Sequence, residues 1–594
     1  DEAANYYFTK LFAEEGVLSR YEGLNGGIAP VVHPRSINVN PENYLVPGSF
    51  LGIILIYGFI AKILGSGVII YLTAFFAALS ALFFYGIIKK VFSRDIAFVS
   101  AVLMLSHPIF YYYSTRGMFH NVLFISLLII GIYFLIYNTE SDAINEKSKV
   151  ESQKLKVKDL FFYSYNSYIK FILAGFFIGL ALITRTSEAP WIMAMLLILW
   201  VFYFKRVSLF KVFLLTSVIF TLGLSVLCYN QILYGNPLIT GYANLEKKVA
   251  QNSTAYAMEN KTVPSATAVA EKNTKEDGSF INKVKRLADA NMPAALIKKL
   301  DFNLAAKNFY NYFIKFFPVL SGMLFISFVV FAIFLSFQFI LSIYGKFKKI
   351  KEPFLQVDLK SSCEQDKIKI TLAEWQIEGK KVKSKFLYTI IFILISAYLV
   401  IYYGSWVFYD TPNAKLITIG TSYTRYWLPI YIMSMPFIAF LLVKISDVFK
   451  YKFPKFAFLA IVLSLLIIRN ICFAYFAPYE GIKKQMEGSI EYYYKREKVL
   501  RATATDAVII NQYYDKLFFP DRNIIASKMY DDKGILESLP VLVKRVPVYY
   551  YSFGLEQADI DYINRKYLSS YNLRMTDENI IFKNESLWKI EDIK

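Results

Sequence analysis

Residues 67–90 read GVIIYLTAFFAALSALFFYGIIKK. No charge interrupts the run before Lys89, and the break itself is a pair of lysines. A helix needs about 20 predominantly apolar residues to cross the hydrocarbon of a bilayer. This stretch satisfies that requirement and closes on cations that anchor at the interface. Outward from it, runs of the same kind lie near 96–113, 118–138, 168–184, 189–204, 209–229, 318–344, 386–403, 426–446 and 456–476. The spacing predicts an all-α polytopic membrane domain of about ten spans. Composition agrees: 56% of the 594 residues are hydrophobic and 19% are charged, where a soluble domain carries about 25% charged residues. The 18% of aromatic residues suits a chain with two long membrane–water interfaces. The formal charge of +20 does not indicate nucleic acid, because the lysines and arginines are dispersed through short loops between apolar runs.

A shorter run, Ser49 to Leu64, ends at Gly65-Ser66-Gly67 and reads either as a span or as an interfacial helix. Loop charge separates the two. If it does not cross, and residue 1 lies outside, the inner loops hold Lys89, Lys90 and Arg94; Lys205, Arg206 and Lys211; Lys444, Lys450, Lys452 and Lys455; and the lysine-rich segments 139–167 and 346–385. The short outer loops then keep only Arg116, Arg185 and Arg425. That is the positive-inside pattern, so 49–64 is expected to be interfacial. The chain opens on Asp1-Glu2 without a Met, and a first spanning helix is expected upstream of it. The division that follows is a membrane region 1–476, with a first outer loop 1–66 and a large polar outer loop 230–310. After it, 477–594 is a small extracytoplasmic α/β domain of three or four strands, with apolar runs at 507–510, 523–526 and 547–551. Cys228, Cys363 and Cys472 are too dispersed to frame a zinc site or a disulfide scaffold.

Ionisable residues at span ends on one face are candidates for function. The outer face offers Asp1 and Glu2; His33-Pro34-Arg35; Arg116 with His120 and Asn121; Arg185 with Glu188; and Tyr423, Arg425 and Tyr426. Singly, an arginine at a helix end holds lipid headgroups, Asp1-Glu2 suits a helix N-terminus, and His107 in its apolar run is a hydrogen-bonded core histidine. Together, three arginines from three outer turns suit a lipid-linked phosphate, which a guanidinium binds bidentately. An acid beside them can deprotonate an acceptor hydroxyl.

The order of these features resembles the GT-C glycosyltransferases, in particular the dolichyl-phosphate-mannose protein mannosyltransferases and aminoarabinose transferases of glycosyltransferase family 39. Asp1-Glu2 resembles the family's Asp-Glu motif after its first transmembrane helix. The stretch from Val46-Pro47-Gly48-Ser49-Phe50 to Ala61-Lys62-Ile63-Leu64-Gly65 is similar to its Pro-rich entry to juxtamembrane helices. Segment 114–121, the turn Thr184-Arg185 and Arg425-Tyr426-Trp427-Leu428-Pro429 resemble later elements of the same series. One position departs: many relatives carry an acid where Asn121 stands, so Asp1 acts alone or Glu188 or Asp410 contributes.

The resemblance implies a monosaccharide moved from a polyprenyl-phosphate donor to a hydroxyl on a protein, lipid or glycan, with inversion, at the outer face of a plasma membrane, as in protein glycosylation or cell-envelope assembly. Asp1 is the expected base and Glu2 its neighbour. Arg35, Arg116, His120, Asn121, Arg185, Glu188, Tyr423, Arg425 and Tyr426 are the expected substrate-binding set. No metal or other cofactor and no nucleic acid is expected; the motif is Asp-Glu and not the D-x-D of metal-dependent relatives. A lipid-linked-sugar flippase or secondary transporter is the alternative, but its usual internal repeat is not visible. An oligosaccharyltransferase is disfavoured because its Trp-Trp-Asp-Tyr-Gly string is absent.

Overall fold

The computed structural model describes residues 2–151, 157–203, 207–242, 300–351, 362–408, 410, 416–530, 532–582 and 584–593. Asp1 and most of the polar loop 230–310, namely 243–299, lie outside the described residues.

The chain enters through helix α1 (Glu2–Glu15) and a three-stranded antiparallel sheet ordered β1-β3-β2 (β1 Arg20–Tyr21, β2 Ile37–Val39, β3 Tyr44–Pro47). Helix α2 (Leu51–Leu64) follows. Its 14 residues rise about 21 Å, less than the hydrocarbon thickness of about 30 Å. The membrane bundle contains α3 (Ile69–Val91), α4 (Arg94–Ser106), α5 (Pro108–Thr115), α6 (His120–Glu151), α7 (Val157–Thr184), α8 (Ala189–Tyr203) and α9 (Leu209–Tyr234). After the large loop come α10 (Phe302–Phe309), α11 (Pro318–Lys351), α12 (Ser362–Gly404), the short α13 (Ser422–Tyr426), α14 (Leu428–Ser446) and α15 (Lys452–Phe476). Among the described residues nine helices are long and apolar enough to cross, or ten counting the bent pair α4–α5. The expected fold class, a helical multi-pass membrane domain with a small C-terminal sheet, is the one observed. Lipid-facing positions stay apolar and exposed, as at Phe213, Phe220, Phe325 and Ile468, because hydrocarbon replaces the core that a soluble protein would need.

The run 96–113, read as one span, is instead two helices bent by 55° at His107. Pro108 offers no N–H and pushes its predecessor out of the helical region, and His107 sits at φ −59°, ψ 128°. His107 is buried and its ring stacks on Tyr431 at 4.8 Å, but its Nδ1 has no hydrogen-bond partner among the described residues, contrary to the expectation. Helices α6, α7, α11 and α12 also run on past the apolar stretches, into lysine-rich segments read as loops. Those segments are rich in good helix formers, so the helix propagates beyond its apolar part.

Close approaches between helices occur at glycines. Gly175 and Gly179 on α7 face the backbone and side chains of α9, leaving no room for a Cβ. A Cβ on Gly52 would come within 2.4 Å of the Ile183–Thr184 backbone, so α2 seats directly on the turn that carries Arg185.

The C-terminal part comprises α16 (Ile482–Ala502), α17 (Asp515–Phe518), α18 (Lys533–Arg545), α19 (Gln557–Ile563) and strands β4 (Val508–Asn511), β5 (Asn523–Ala526), β6 (Val548–Phe553), β7 (Leu573–Phe582) and β8 (Glu585–Asp592). The sheet order is β5-β4-β6-β8-β7, with β5, β4 and β6 parallel and the β7–β8 hairpin antiparallel. Among the described residues the sheet has five strands and not three or four. The hairpin escaped the reading because charged residues interrupt its apolar alternation. The first loop joins this unit: His33 bridges Ile525 at the sheet edge, and Val32 lies in the same apolar core as Val508 and Ile510.

Candidate active site

Three helix ends deliver three arginines to one place. Arg116 follows the last residue of α5, Arg185 lies between α7 and the turn Thr186–Glu188, and Arg425 is in α13. Two aromatic rings connect them. Phe119 lies under Arg116 at 4.9 Å and under Arg425 at 5.5 Å, while Tyr426 lies under Arg425 at 5.3 Å and Arg185 at 4.6 Å. Each such contact contributes about 0.5–2 kcal/mol, more where water is excluded. Tyr426 is itself stacked on Tyr403 at 4.5 Å, so the platform is rigid.

Every one of these arginines meets an acid. Arg116 donates to both Glu2 oxygens, at 2.7 and 3.2 Å, and to the Tyr112 hydroxyl at 2.6 Å. Arg185 Nη2 lies 2.7 Å from Glu188 Oε1 and 3.1 Å from the Tyr403 hydroxyl. Glu188 also accepts from the Tyr403 hydroxyl at 2.5 Å and from Trp191 Nε1 at 2.6 Å, so both its oxygens are occupied. Arg425 donates to Ser422 Oγ at 2.7 Å and lies 3.7 Å from Asp410, which accepts the Ser422 amide at 2.6 Å and its hydroxyl at 2.8 Å. Burial alone would lower the pKa of Arg116, but Glu2 and Tyr112 outweigh it and hold the group above its usual value. Burial is likewise outweighed at Arg185, chiefly by Glu188, and at Arg425 by Tyr426, Tyr113 and Asp410. All three remain cations. Burial, with Tyr312 next to it, pushes the Tyr423 hydroxyl up to about 12, and burial does the same to Tyr242.

Two donors are left over. The Nε–H groups of Arg185 and Arg425 are buried and have no hydrogen-bond partner among the described residues. Leaving such a donor unmade costs about 1–3 kcal/mol, and both belong to guanidinium groups that share the ring of Tyr426.

The remaining expected residues divide. His120 hydrogen-bonds the Phe50 carbonyl at 3.0 Å, and the Asn121 amide donates to the Arg425 carbonyl at 3.1 Å, so Asn121 ties α6 to the segment that carries Arg425. Tyr423 donates to the Trp406 carbonyl and accepts from Asn308, so its hydroxyl is committed to packing. Arg35 is not brought to this cluster. Its fork holds the buried Asp515 carboxylate of the C-terminal unit at 2.5 and 3.0 Å and the Tyr513 carbonyl at 2.9 Å. Glu188 and Asp410, the two further acids expected near the site, are each held by an arginine and by hydroxyl or N–H donors. Asp1 lies outside the described residues. Sequence reasoning missed Phe119, Tyr403, Tyr242 and Glu480. Glu480 accepts from Thr418 and lies within electrostatic reach of Tyr112. Tyr403 had a signal, being the last aromatic of a span on the same face as Arg185; Tyr242 and Glu480 had none.

Residues 57–256, which carry Arg116, His120, Asn121, Arg185 and Glu188, match the model of the Alg9-like mannosyltransferase family, one of the GT-C families. Over that third of the chain the sequence is similar to the GT-C glycosyltransferases. The resemblance expected from the order of motifs is thus matched by a family model of the same superfamily, the Alg9-like one. Among solved structures, an oligosaccharyltransferase from Archaeoglobus fulgidus in complex with zinc and sulfate is similar at a TM-score of 0.42 and 15% identity, over 93% of this chain and 64% of its own. ArnT from Cupriavidus metallidurans bound to undecaprenyl phosphate gives 0.43 and 8%, over 99% of this chain and 93% of its own. The chain thus spans less than two thirds of the archaeal enzyme. No curated protein matches it. Among the described residues, no group of three or more His, Cys, Asp or Glu side chains is arranged to hold a metal ion.

Proposed function

We propose that the chain transfers a monosaccharide from a polyprenyl-phosphate donor to a hydroxyl acceptor at the outer face of a plasma membrane. The observation that supports this most directly is the pair of unpartnered, buried guanidinium N–H donors of Arg185 and Arg425. They are suited to an anion, and a phosphate oxygen would satisfy them with charge-assisted bonds. An apolar cavity of about 120 Å³ is lined by Trp191, whose indole donates to Glu188, and by Pro429, and reaches Lys90 and Ser384. It offers a lipid tail a course away from the arginines.

In the proposed reaction Asp1 takes the proton of the acceptor hydroxyl. The acceptor oxygen bonds to the anomeric carbon as the bond from that carbon to the phosphate oxygen breaks, and the electron pair leaves with the lipid phosphate. Attack opposite the leaving group inverts the anomeric centre. Arg185 and Arg425, with Arg116, stabilise charge on the departing phosphate, which is the largest single contribution in reactions of this type. Glu2 orients Arg116. No metal is needed in this scheme, because a monophosphate leaving group can be matched by guanidinium charge alone.

Transfer from a radiolabelled polyprenyl-phosphate sugar, run with and without chelator, tests the reading. Asp1→Asn should lower turnover by about 10²–10⁴-fold and leave donor binding nearly intact. Arg425→Ala should weaken both. Full activity of Asp1→Asn would remove the assigned base, loss of activity in chelator would remove the metal-free scheme, and transfer from nucleotide sugars alone would refute the donor class.

A further inference from the structure

Away from the arginine cluster, a cleft of about 540 Å³ opens between the C-terminal half of α1, strand β1 and Pro520. Its volume falls in the range of about 300–1,000 Å³ typical of small-molecule sites. Its walls differ in kind from the membrane cavities, which are apolar. Tyr7, Lys10, Glu14, Glu15, Arg20 and Tyr21 supply two cations, two carboxylates and two phenols. The charges balance, so neither an anionic nor a cationic ligand is favoured. Their internal ties are loose: Lys10 and Glu14 are 3.9 Å apart and Arg20 reaches the Tyr7 hydroxyl at 3.3 Å. Donors and acceptors therefore remain available across the cleft. Tyr21 is 58% exposed and held edge-on by Tyr44 at 5.4 Å, which presents a fixed ring to an occupant.

We infer that this cleft seats a neutral oligosaccharide, the acceptor end of the transfer reaction. Hydroxyls arranged around a sugar ring match interleaved donors and acceptors, and the apolar face of the ring suits an aromatic platform. Position supports the role. Tyr7 is five residues along α1 from Glu2, about 7.5 Å by helical rise, so an acceptor in the cleft can extend toward the Glu2 end of the helix. The far wall is built by the C-terminal unit, with Phe519 packed on Tyr7 at 4.7 Å, which gives that unit a part in acceptor recognition. The role as acceptor seat rests on the transferase reading; the binding itself does not.

The test uses the full chain in lipid nanodiscs, without donor, against an array of neutral oligosaccharides, anionic glycans and peptides, followed by titration. Neutral oligosaccharides should bind. Tyr21→Ala should weaken them about 3- to 10-fold, the worth of one aromatic contact, and Ser19→Trp should fill the cleft and abolish binding. Tyr21 is exposed and Ser19 is half-buried in the cleft wall, so an unchanged unfolding midpoint of each variant is the control for folding. Selective binding of anionic glycans or peptides, no glycan binding, or neutral binding unmoved by either substitution would overturn the inference. Because donor is absent, failure of the donor assay leaves this result standing. Transfer with an acceptor KM unchanged by Ser19→Trp would overturn the cleft alone.

Discussion

Replacing Glu188 with glutamine removes one charge and almost no volume from a site where three donors converge. Arg185, Tyr403 and Trp191 all donate to its carboxylate, and the Arg185 and Glu188 side chains are only 7% and 3% exposed. The amide can accept for one oxygen but presents an N–H₂ group on the other side, opposite donors. Arg185 is then a buried cation without its counter-ion, a loss that costs about 3–5 kcal/mol. Stability in detergent, followed by tryptophan fluorescence on heating, should fall accordingly. The functional reading adds a second effect of opposite sign. In the parent chain a donor phosphate must compete with Glu188 for Arg185; in the variant it becomes the missing anion. A recovered charge-assisted contact of about 1.5–3 kcal/mol corresponds to a Kd about 10- to 150-fold lower. Free polyprenyl phosphate at one concentration should therefore restore stability to the variant more than it adds to the parent, since bound ligand stabilises in proportion to the logarithm of its saturation ratio. A variant that is destabilised and gains no more from polyprenyl phosphate than the parent would show that Arg185 is structural and holds no phosphate.

Arg35→Ala should leave polyprenyl-phosphate affinity unchanged while exposing the 20–47 loop to limited proteolysis. It deprives buried Asp515 of charge-assisted bonds, a loss of about 1–3 kcal/mol even with one partner half exposed; a weakened donor Kd would return Arg35 to the donor site. Gly52→Val should abolish transfer without removing any polar group, because a side chain there collides with the Ile183–Thr184 backbone and displaces Arg185; retention of full activity would mean that α2 does not set that turn. In a background lacking Cys228, Cys363 and Cys472, Ala558→Cys should react with an impermeant maleimide in intact cells and Tyr451→Cys should not. The reverse pattern would invert the proposed sidedness.

Membrane spans were readable because the solvent imposes a local rule. Twenty apolar residues in succession have one stable environment, and the rule needs no knowledge of neighbours. The bend at His107 was written in the following proline, although an apolar run on both sides masked it. The short strands at 508–511, 523–526 and 548–553 carry enough consecutive apolar residues to be seen, whereas the charged β7–β8 hairpin does not. Polar pairing was less accessible. Glu188 and Arg185 are three residues apart and face each other in one turn, yet nothing local indicates that Tyr403 and Trp191 complete the group.

What the sequence by itself determined was the membrane class, the spans, the placing of three arginines at span ends and an order of motifs that resembles the superfamily's. Those follow from hydropathy and from residue types at span ends, both properties of contiguous chain. Which acid each arginine meets was decided only by the tertiary structure. Glu2 and Arg116 are separated by 114 residues and Arg35 and Asp515 by 480, and the strength of an ion pair depends on distance and burial, which chain order does not carry. The same fork on an arginine can hold a lipid phosphate or brace a domain, and packing alone assigned Arg185 to the rings of the membrane cluster and Arg35 to the C-terminal sheet.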